Sequence, residues 1–164
     1  MNTQFKTLEE KDLTEVKKIY DWYIANTTVT FHIKSVSTEE LKEFIYINHL
    51  IYRSYLVFCD DNIAGYCYLT CYKKREAFDR TAEIAIYLKP EYCNNGIGKI
   101  AFCYLENEAR KSGLKNIIGN ISGDNSESIA LFEKSGYTKC AHFKNVGEKF
   151  NSLLDVVSFQ KEIG

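Results

Sequence analysis

Apolar residues recur with a helical period in four stretches of the chain and with a strand period in seven. The helical stretches predict helices from Asp12 to about Ala25, from Ser37 onward, from Gly98 to about Ser112, and from Ser126 to about Lys134. The strand-like stretches predict strands over 5–8, 55–59, 63–72, 81–88, 116–121, 137–143 and 154–162. A loop containing Gly147 is predicted between the last two strands. This order predicts an α+β fold, in which helices pack against a mixed sheet.

Local signals mark the ends of the predicted helices. Asp12 stands where it can cap the first helix, and Ser37 with Glu40 forms the S-x-x-E pattern of a capping box. Gly113 and Gly136 follow the third and fourth helices, where glycine commonly closes a helix in the left-handed conformation. The helix ends are therefore better defined than the periodicity alone would make them.

Length and charge narrow the class of protein. The chain of 164 residues fits one domain, 1–164, and its net charge of -1 gives no electrostatic case for nucleic acid or for an anionic membrane. No apolar run is long enough to span a bilayer, and the N-terminus lacks a secretory signal, so we expect a cytoplasmic protein. We accordingly expect the six cysteines to be reduced thiols, and the three histidines have no metal-binding spacing.

The most informative segment runs from Thr81 to Ala101. Its first part alternates as a strand, with Glu83 on the face opposite Ile84, and Pro90 ends that strand because it has no N–H to donate. A short loop with two glycines then leads into a helix. A strand, a glycine-bearing loop and a helix N-terminus together predict an anion site, because free N–H groups and the helix dipole both favour negative charge.

Three kinds of phosphate ligand bind glycine-bearing loops of this type. A nucleotide P-loop is excluded because Cys93 replaces its first glycine and Ile100 its magnesium-binding hydroxyl. Gly96, Gly98 and Ala101 fit a dinucleotide fingerprint, but that motif should open the first βαβ unit, and here about 80 residues precede the segment. NAD binding therefore stays as a weaker alternative. The third candidate is the pyrophosphate of coenzyme A.

Several stretches, in order along the chain, match one known family. They are IY at 19–20, NTTVTF at 26–31, IAGY at 63–66, REAFDRTAE at 75–83, residues 125–137, GEKF at 147–150 and DV at 155–156. With these stretches the chain resembles the GNAT superfamily of N-acetyltransferases, and within it the branch around phosphinothricin acetyltransferase. The coenzyme A loop of that family begins with Gln or Arg and has glycine at its fourth position. Here it reads CNNGIG at 93–98.

The resemblance implies a single GNAT-like domain with a mixed, mostly antiparallel sheet flanked by helices. It implies acetyl-CoA as the co-substrate, with no metal ion. The implied reaction is direct transfer of the acetyl group to the amine of a small molecule, an amino acid or an analogue such as phosphinothricin or methionine sulfoximine. The family also implies a homodimer.

Glu83 is the candidate general base. By pattern alone it is best interpreted as a solvent-facing carboxylate on a half-exposed strand. In the resembled branch, the glutamate of the T-x-E sequence is the base, because an amine attacks a thioester only when it is neutral and its proton must go to an acceptor. The resemblance therefore assigns that role to Glu83.

The resemblance also implies the binding residues. The strand backbone would pair with the pantetheine arm, the loop N–H groups would hold the pyrophosphate, and two residues near the last helix would contact the coenzyme: Ile86, Tyr87, Leu88; Asn94, Asn95, Gly96, Ile97, Gly98, Lys99; Asn125, Ser128. The acceptor amine would be bound by Arg75, Phe78 and Lys149. From pattern alone, Asn125 could equally be a helix cap, and residues 73–76 a solvated charged turn.

Two residues depart from the resembled family. Cys93 replaces Gln or Arg at the start of the loop, which removes one side-chain contact and leaves the main-chain donors. Phe132 stands where relatives have His or Tyr, and Phe cannot donate a proton to the leaving sulfur. An acetyltransferase is the first hypothesis, and a non-catalytic acyl-CoA-binding protein is the alternative that Phe132 raises.

Overall fold

Four α-helices and seven β-strands form close to where the periodicities predict them. The computed structural model describes residues 1–164. The helices are α1 (Leu13–Asn26), α2 (Thr38–Leu41), α3 (Ile97–Lys111) and α4 (Ser126–Lys134). The strands are β1 (Thr3–Thr7), β2 (Ser54–Cys59), β3 (Asn62–Cys71), β4 (Thr81–Leu88), β5 (Asn116–Ser122), β6 (Thr138–Lys149) and β7 (Ser152–Glu162).

The strands form one sheet in the order β1-β2-β3-β4-β5-β7-β6. Every neighbouring pair is antiparallel except β4 and β5, which run parallel. The expected α+β class with a mixed, mostly antiparallel sheet is confirmed. The one parallel pair lies in the middle of the sheet, between strands whose connection is the helix α3.

The parallel pair separates soon after it begins. β4 and β5 pair only over Thr81–Glu83 and Asn116–Ile118, although both strands continue beyond these residues. On its other edge β4 pairs with β3 as far as Leu88. The sheet therefore opens into a wedge beyond Glu83, between the second half of β4 and the second half of β5.

The two faces of the sheet are covered by different helices. Ile84 and Leu88 of β4 join the core beneath α3 and α4, whereas Tyr66 and Tyr68 of β3 join the core beneath α1 and α2. Tyr87 packs with the second group, so β4 has the alternation predicted from its sequence. Glu83, which alternates with Ile84, lies on the α1 face of the sheet.

The predicted caps of three helices are confirmed. The Ser37 hydroxyl accepts the N–H of Glu40 at 3.1 Å, and the Glu40 carboxylate accepts the N–H of Ser37 at 2.6 Å. Gly113 and Gly136 have φ values of 83° and 84°, the left-handed conformation in which glycine ends a helix with little strain. α2 is nevertheless short, because the backbone leaves the helical conformation soon after its cap.

Two local predictions were wrong. The Asp12 side chain makes no cap to α1; its carboxylate accepts the N–H of Glu9 at 2.9 Å and closes the short 3-10 turn before the helix. Gly147 does not lie in a loop between the last strands, because β6 runs on to Lys149 and Gly147 pairs with Leu154. The chain reverses instead at Phe150–Asn151, both with positive φ.

The cysteines are all free thiols, as expected. Cys59 and Cys67 are buried core residues, whereas Cys103 and Cys140 are exposed. Among the helices, none has the length and apolar character needed to cross a bilayer.

Candidate active site

Six consecutive backbone N–H groups, from Asn94 to Lys99, have no acceptor within the protein. The N–H before them, of Cys93, bonds to the Pro90 carbonyl, and the first helical bond after them joins Ile100 N–H to the Gly96 carbonyl at 3.3 Å. Because these free donors lie at the positive end of the α3 dipole, they suit a phosphate-sized anion. The anion site predicted from sequence therefore has its main-chain donors.

The conformation of this loop depends on small residues. Gly96 caps α3 with φ 81°, and Asn94 also lies in the left-handed region with φ 61°. A Cβ on Gly98 would lie 3.1 Å from a methyl carbon of Leu131, so that position leaves little room for a side chain. The loop therefore has free N–H donors and few side-chain atoms that would block an anion from reaching them.

The Cys93 thiol contacts Lys89 and Tyr23 rather than a loop N–H group. Its Sγ lies 3.6 Å from the Lys89 carbonyl oxygen and 3.9 Å from the Tyr23 hydroxyl. Burial raises the pKa of the Cys93 thiol above its ordinary value, with the Tyr23 hydrogen bond working against that rise. An anion in the loop is thus met by main-chain groups rather than by this side chain.

The wedge exposes an unpaired edge of β4. The N–H of Lys89 bonds to the Ala64 carbonyl at 2.8 Å on the β3 side, so by strand alternation the backbone groups of Ile86 and Leu88 face the other edge. The Leu88 carbonyl accepts a hydrogen bond from the Tyr23 hydroxyl there. The edge that remains open can pair with an extended ligand as a further strand would.

A cavity of about 440 Å³ joins this edge to the glycine loop. We call it the loop cavity. Its wall includes β4, the loop and α4, among them Ile86, Gly96, Gly98, Lys99, Asn125 and Phe132.

A second cavity, of about 520 Å³, opens on the α1 face of the sheet, and we call it the Glu83 cavity. The two cavities share a wall of residues from the wedge: Val29, Ile84, Ala85, Ile86, Asn125, Ser128 and Phe132. They therefore meet where β4 and β5 separate.

Glu83 is half-buried in the wall of the second cavity. Its partner in the β3–β4 register is Thr70 of β3, and both side chains line the cavity. Burial raises the pKa of the Glu83 carboxyl, and a hydrogen bond from the Asn120 side chain partly offsets that rise. Glu83 is thus not a carboxylate on an open sheet surface; it faces a confined space as a base of increased proton affinity.

Asn125 serves as a cap and also lines both cavities. Its Oδ1 accepts the Ser128 N–H at 3.2 Å at the start of α4, and its Nδ2 donates to the Ser128 hydroxyl at 2.8 Å. Ser128 lines both cavities as well. The cap and the ligand-facing position, which sequence could not separate, coexist in these two residues.

Residues Thr27–His32, which we call the strap, cross the site between α1 and α2. The Thr28 hydroxyl donates to both carboxylate oxygens of Asp124, at 2.9 and 2.8 Å. The Thr30 hydroxyl donates to the Tyr20 hydroxyl at 2.6 Å. The strap thereby presents Val29 to both cavities. The sequence stretch was recognised, but these contacts, which join residues far apart in the chain, were not predicted.

The three residues expected to bind the acceptor are not brought together. Lys149 is buried, and its ammonium donates to the Thr30 carbonyl at 2.9 Å. It therefore helps to hold the backbone of the strap in place. Arg75 is exposed and Phe78 packs edge-on against Tyr72; neither lines the two cavities. The cation that does line the Glu83 cavity is Lys74.

Phe132 is a core residue with one side on the wedge. Its ring contacts Phe102, Tyr137 and Phe159 in an aromatic cluster, with ring centroids 4.7, 5.1 and 5.6 Å away. A Cβ on Gly119 would lie 2.1 Å from this ring, so Gly119 makes room for it. The packing interpretation of Phe132 is supported, and one side of its ring lies on the wall that the two cavities share.

The site combines a half-buried carboxylate, an unpaired strand edge and a row of main-chain N–H groups that can bind an anion. No group of three or more His, Cys, Asp or Glu side chains lies close enough to form a metal site. The arrangement suits proton transfer next to a bound phosphate-containing molecule with an extended arm.

The sequence matches a family of enzymes that transfer an acetyl group. The profile described as "Acetyltransferase (GNAT) domain" matches residues 5–157. The chain is 24% identical to the L-methionine sulfoximine/L-methionine sulfone acetyltransferase of Salmonella typhimurium, over 94% of this chain and 91% of that protein. It is 25% identical to the phosphinothricin N-acetyltransferase of Streptomyces viridochromogenes, over 92% of this chain and 82% of that protein.

The solved structures include a GNAT superfamily phosphinothricin acetyltransferase from Sinorhizobium meliloti in complex with AcCoA. It superimposes with a TM-score of 0.92 at 25% identity, covering 100% of this chain and 90% of that chain. The matched profile spans nearly the whole sequence, and the fold agrees along its full length. The chain therefore belongs to the acetyltransferase (GNAT) domain family.

Proposed function

We propose that this acetyltransferase moves the acetyl group of acetyl-CoA to the amine of a small amino acid or amino-acid analogue. The observation that carries the proposal is the meeting of the two cavities at the wedge, with Glu83 in one and the free loop N–H groups in the other. The names of the relatives, which act on methionine sulfoximine and phosphinothricin, support the substrate class.

The residues of the loop cavity fit acetyl-CoA. The six free N–H groups from Asn94 to Lys99 suit its pyrophosphate, and the open backbone of Ile86 to Leu88 suits its pantetheine arm. Asn125 and Ser128 present polar groups along the same wall. When bound, acetyl-CoA supplies the acetyl group as a thioester that a neutral amine attacks directly.

Glu83 would accept the proton of the amine, directly or through a water molecule. Its half-buried position keeps the carboxylate poorly solvated, which increases its proton affinity toward that of the acceptor. Main-chain N–H groups near Leu88 would polarise the thioester carbonyl, since the free edge of β4 lies on the shared wall.

Phe132 has no proton to give to the departing sulfur. A thiol has a pKa of about 8.5, so a thiolate can leave without a general acid. Tyr23, whose hydroxyl is already engaged with the Leu88 carbonyl, lines the loop cavity but is occupied there. We therefore retain the enzyme hypothesis over the non-catalytic acyl-CoA-binding protein.

For the acceptor we propose an anionic small molecule. Lys74 is the cation in the Glu83 cavity, and a carboxylate on the acceptor would pair with it. Arg75, Phe78 and Lys149 stay predictions for acceptor binding, and the first two require the polar turn after β3 to move toward the cavity.

The test is Glu83→Gln, with Glu43→Gln as the matched control, because Glu43 is the other carboxylate in the same cavity. Turnover is followed by release of free thiol across a panel of small amines. We expect the Glu83 variant to lose about 100-fold or more in kcat and the control to stay near wild type. Unchanged turnover of Glu83→Gln at saturating amine would remove the base from the mechanism.

The pH dependence provides a second readout. Only ionised Glu83 can accept a proton, and its pKa lies above the ordinary carboxyl value because of burial. We expect kcat/KM to fall as the pH drops through that raised pKa, at a higher pH than an exposed glutamate would give. Coenzyme binding without any amine that stimulates thiol release would favour the non-catalytic alternative.

We also propose a cytoplasmic homodimer without nucleic-acid or membrane partners. The net charge of -1 supports the last point. The hairpin of β6 and β7 carries several exposed apolar side chains, Phe143, Val146, Phe150 and Leu153, which support an interface between copies. Light scattering after size-exclusion chromatography measures the mass, and a monomer at micromolar concentration would count against the dimer.

A further inference from the structure

Asn120 and Ser158 form a polar pair next to Glu83. They are direct partners in the register of β5 and β7, so their side chains share one face of the sheet. The Ser158 hydroxyl donates to Asn120 Oδ1 at 2.6 Å. Ser158 is only 7% exposed, so its hydroxyl has little access to water and depends on this partner.

The hydroxyl of Ser158 has no competing partner. Across β6 its register neighbour is Ala141, whose side chain cannot form a hydrogen bond. The nearby Cys140 thiol donates to the Ser158 carbonyl at 3.4 Å, not to the hydroxyl. The buried Ser158 hydroxyl is therefore satisfied by its hydrogen bond to Asn120.

This contact orients the Asn120 amide. With Oδ1 engaged by Ser158, the Nδ2 donor is left to face the Glu83 carboxylate, because Asn120 and Glu83 line the same cavity. Hydrogen bonding from Asn120 favours the ionised form and lowers the pKa of the Glu83 carboxyl, against the effect of burial. The reversed amide would place a carbonyl oxygen against a carboxylate, which is repulsive. β4 and β5 stop pairing at Glu83 and Ile118, so Asn120 lies at the opening of the wedge on the Glu83 face.

We propose that Ser158 and Asn120 are positioning residues, which hold the Glu83 carboxylate ionised and oriented for proton transfer. This rests on the proposed function, because it assigns the pair a role in serving the general base. Neither residue was singled out from the sequence, since only the strand register brings them beside Glu83.

Other groups also face Glu83, and the test must separate them from the pair. They come from every element around the cavity: Tyr20, His32, Glu43, Tyr68, Lys74 and Tyr87. Substituting Ser158 changes none of these charges, so an effect on Glu83 has to pass through the Asn120 amide.

The experiment measures the titration of Glu83 directly, by NMR of its carboxyl carbon in the protein without coenzyme. The variants are Ser158→Ala, Ser158→Thr and Asn120→Leu, with melting curves to confirm folding. We expect Ser158→Ala and Asn120→Leu to raise the titration midpoint of Glu83 by about one pH unit. Ser158→Thr retains the hydroxyl and should titrate as wild type.

The same variants are then assayed with acetyl-CoA and an amine. At a pH below the midpoint, kcat/KM of Ser158→Ala should fall about tenfold, with the acid limb of the profile displaced to higher pH. A role confined to stability would lower the melting temperature but leave the limb where it is. Rescue by Ser158→Thr is the further expectation.

Two failures are distinguishable. If Glu83 titrates at the wild-type midpoint in both Ser158→Ala and Asn120→Leu, the positioning role is wrong, whatever the activity. If Glu83→Gln retains turnover, Glu83 is not the base, and the proposed mechanism fails even when the Ser158 and Asn120 variants shift the titration.

Discussion

Replacing Gly119 with alanine should strain the wall of the site from inside the core. A Cβ at this position would lie 2.1 and 2.2 Å from two ring carbons of Phe132. Ordinary carbon contacts are about 3.5–4 Å, so the ring must move by more than 1 Å or β5 must bend. Phe102 and Tyr137 pack edge-on against the same ring and restrict its retreat into the core.

The size of the effect follows from this confinement. Overpacking a well-filled core typically costs about 1–3 kcal/mol, and the short distances put Gly119→Ala in the upper half of that range. For a chain of this length, each kcal/mol shifts the melting temperature by about 2–4 °C. We therefore expect Gly119→Ala to melt about 4–12 °C below wild type.

The matched control is Gly147→Ala, also a strand glycine. Its Cβ would lie 3.5 Å from the Leu154 Cβ, an ordinary contact, so its melting temperature should stay close to that of wild type. In Gly119→Ala the Phe132 ring can move only toward the wedge, because its other sides are packed in the core. On the wedge side Phe132 lines both cavities. The KM for acetyl-CoA should therefore rise in this variant and not in the control.

A double substitution decides whether Phe132 is the cause. In a Phe132→Leu background the ring carbons are gone, so Gly119→Ala should destabilise by less than half as much as in wild type. Melting curves of the four proteins give this coupling. A Gly119→Ala protein as stable as wild type, or an equal loss in both backgrounds, would refute the steric argument.

Three further outcomes follow from the contacts described. Gly96→Ala strains a left-handed residue in the loop and should weaken acetyl-CoA binding by about fivefold in calorimetry, whereas Gly113→Ala, with a similar φ far from the loop, should lose stability alone. Thr28→Val releases the strap and should raise the KM for the amine about three- to tenfold with little change in kcat; an unchanged KM would contradict the positioning role of the strap. Lys161→Met removes the ammonium that lies 3.0 Å from both oxygens of the buried Glu106 and leaves only the Arg110 guanidinium, 3.6 Å away. It should destabilise the fold by about 2–3 kcal/mol in urea unfolding, a loss that a stability equal to wild type would disprove.

Most of the fold could be predicted because its signals are local. The helical period of apolar residues predicts α1, and the residues that recur with this period are the ones buried: Leu13, Val16, Ile19, Tyr20, Tyr23 and Ile24. The Ser37–Glu40 box and the glycines after α3 and α4 also depend only on neighbours in sequence. Local patterns of this kind hold when tertiary contacts do not oppose them.

The last hairpin shows where local signals mislead. Gly147 and its polar neighbours predicted a loop, but cross-strand pairing with β7 keeps that stretch in β6, with an irregular register between Phe143 and Gly147. The true turn contains Phe150, whose positive φ no residue preference indicates, although the adjacent Asn151 tolerates one. Strand pairing therefore overrode composition.

The candidate site divides in the same way. Glu83 and the loop donors could be predicted because one continuous segment carries both. The strap, Lys74 and the Asn120–Ser158 pair could not, since each depends on residues brought together by strand register or by the path of a loop. In the polar turn after β3, Lys74 lines the Glu83 cavity and Arg75 does not.

The short pairing between β4 and β5 has a consequence for the dynamics of the whole molecule. Only three residue pairs join β1–β4 to β5–β7 within the sheet, so the two halves can open independently at this seam. Amide hydrogens of Ile86 and Leu88 should then exchange with solvent faster than those of β3, whose strand is paired on both edges. A ligand that hydrogen-bonds along this edge of β4 would suppress the exchange. It would also raise the melting temperature as its concentration increases, so ligand binding would stabilise the contact between the two halves of the sheet.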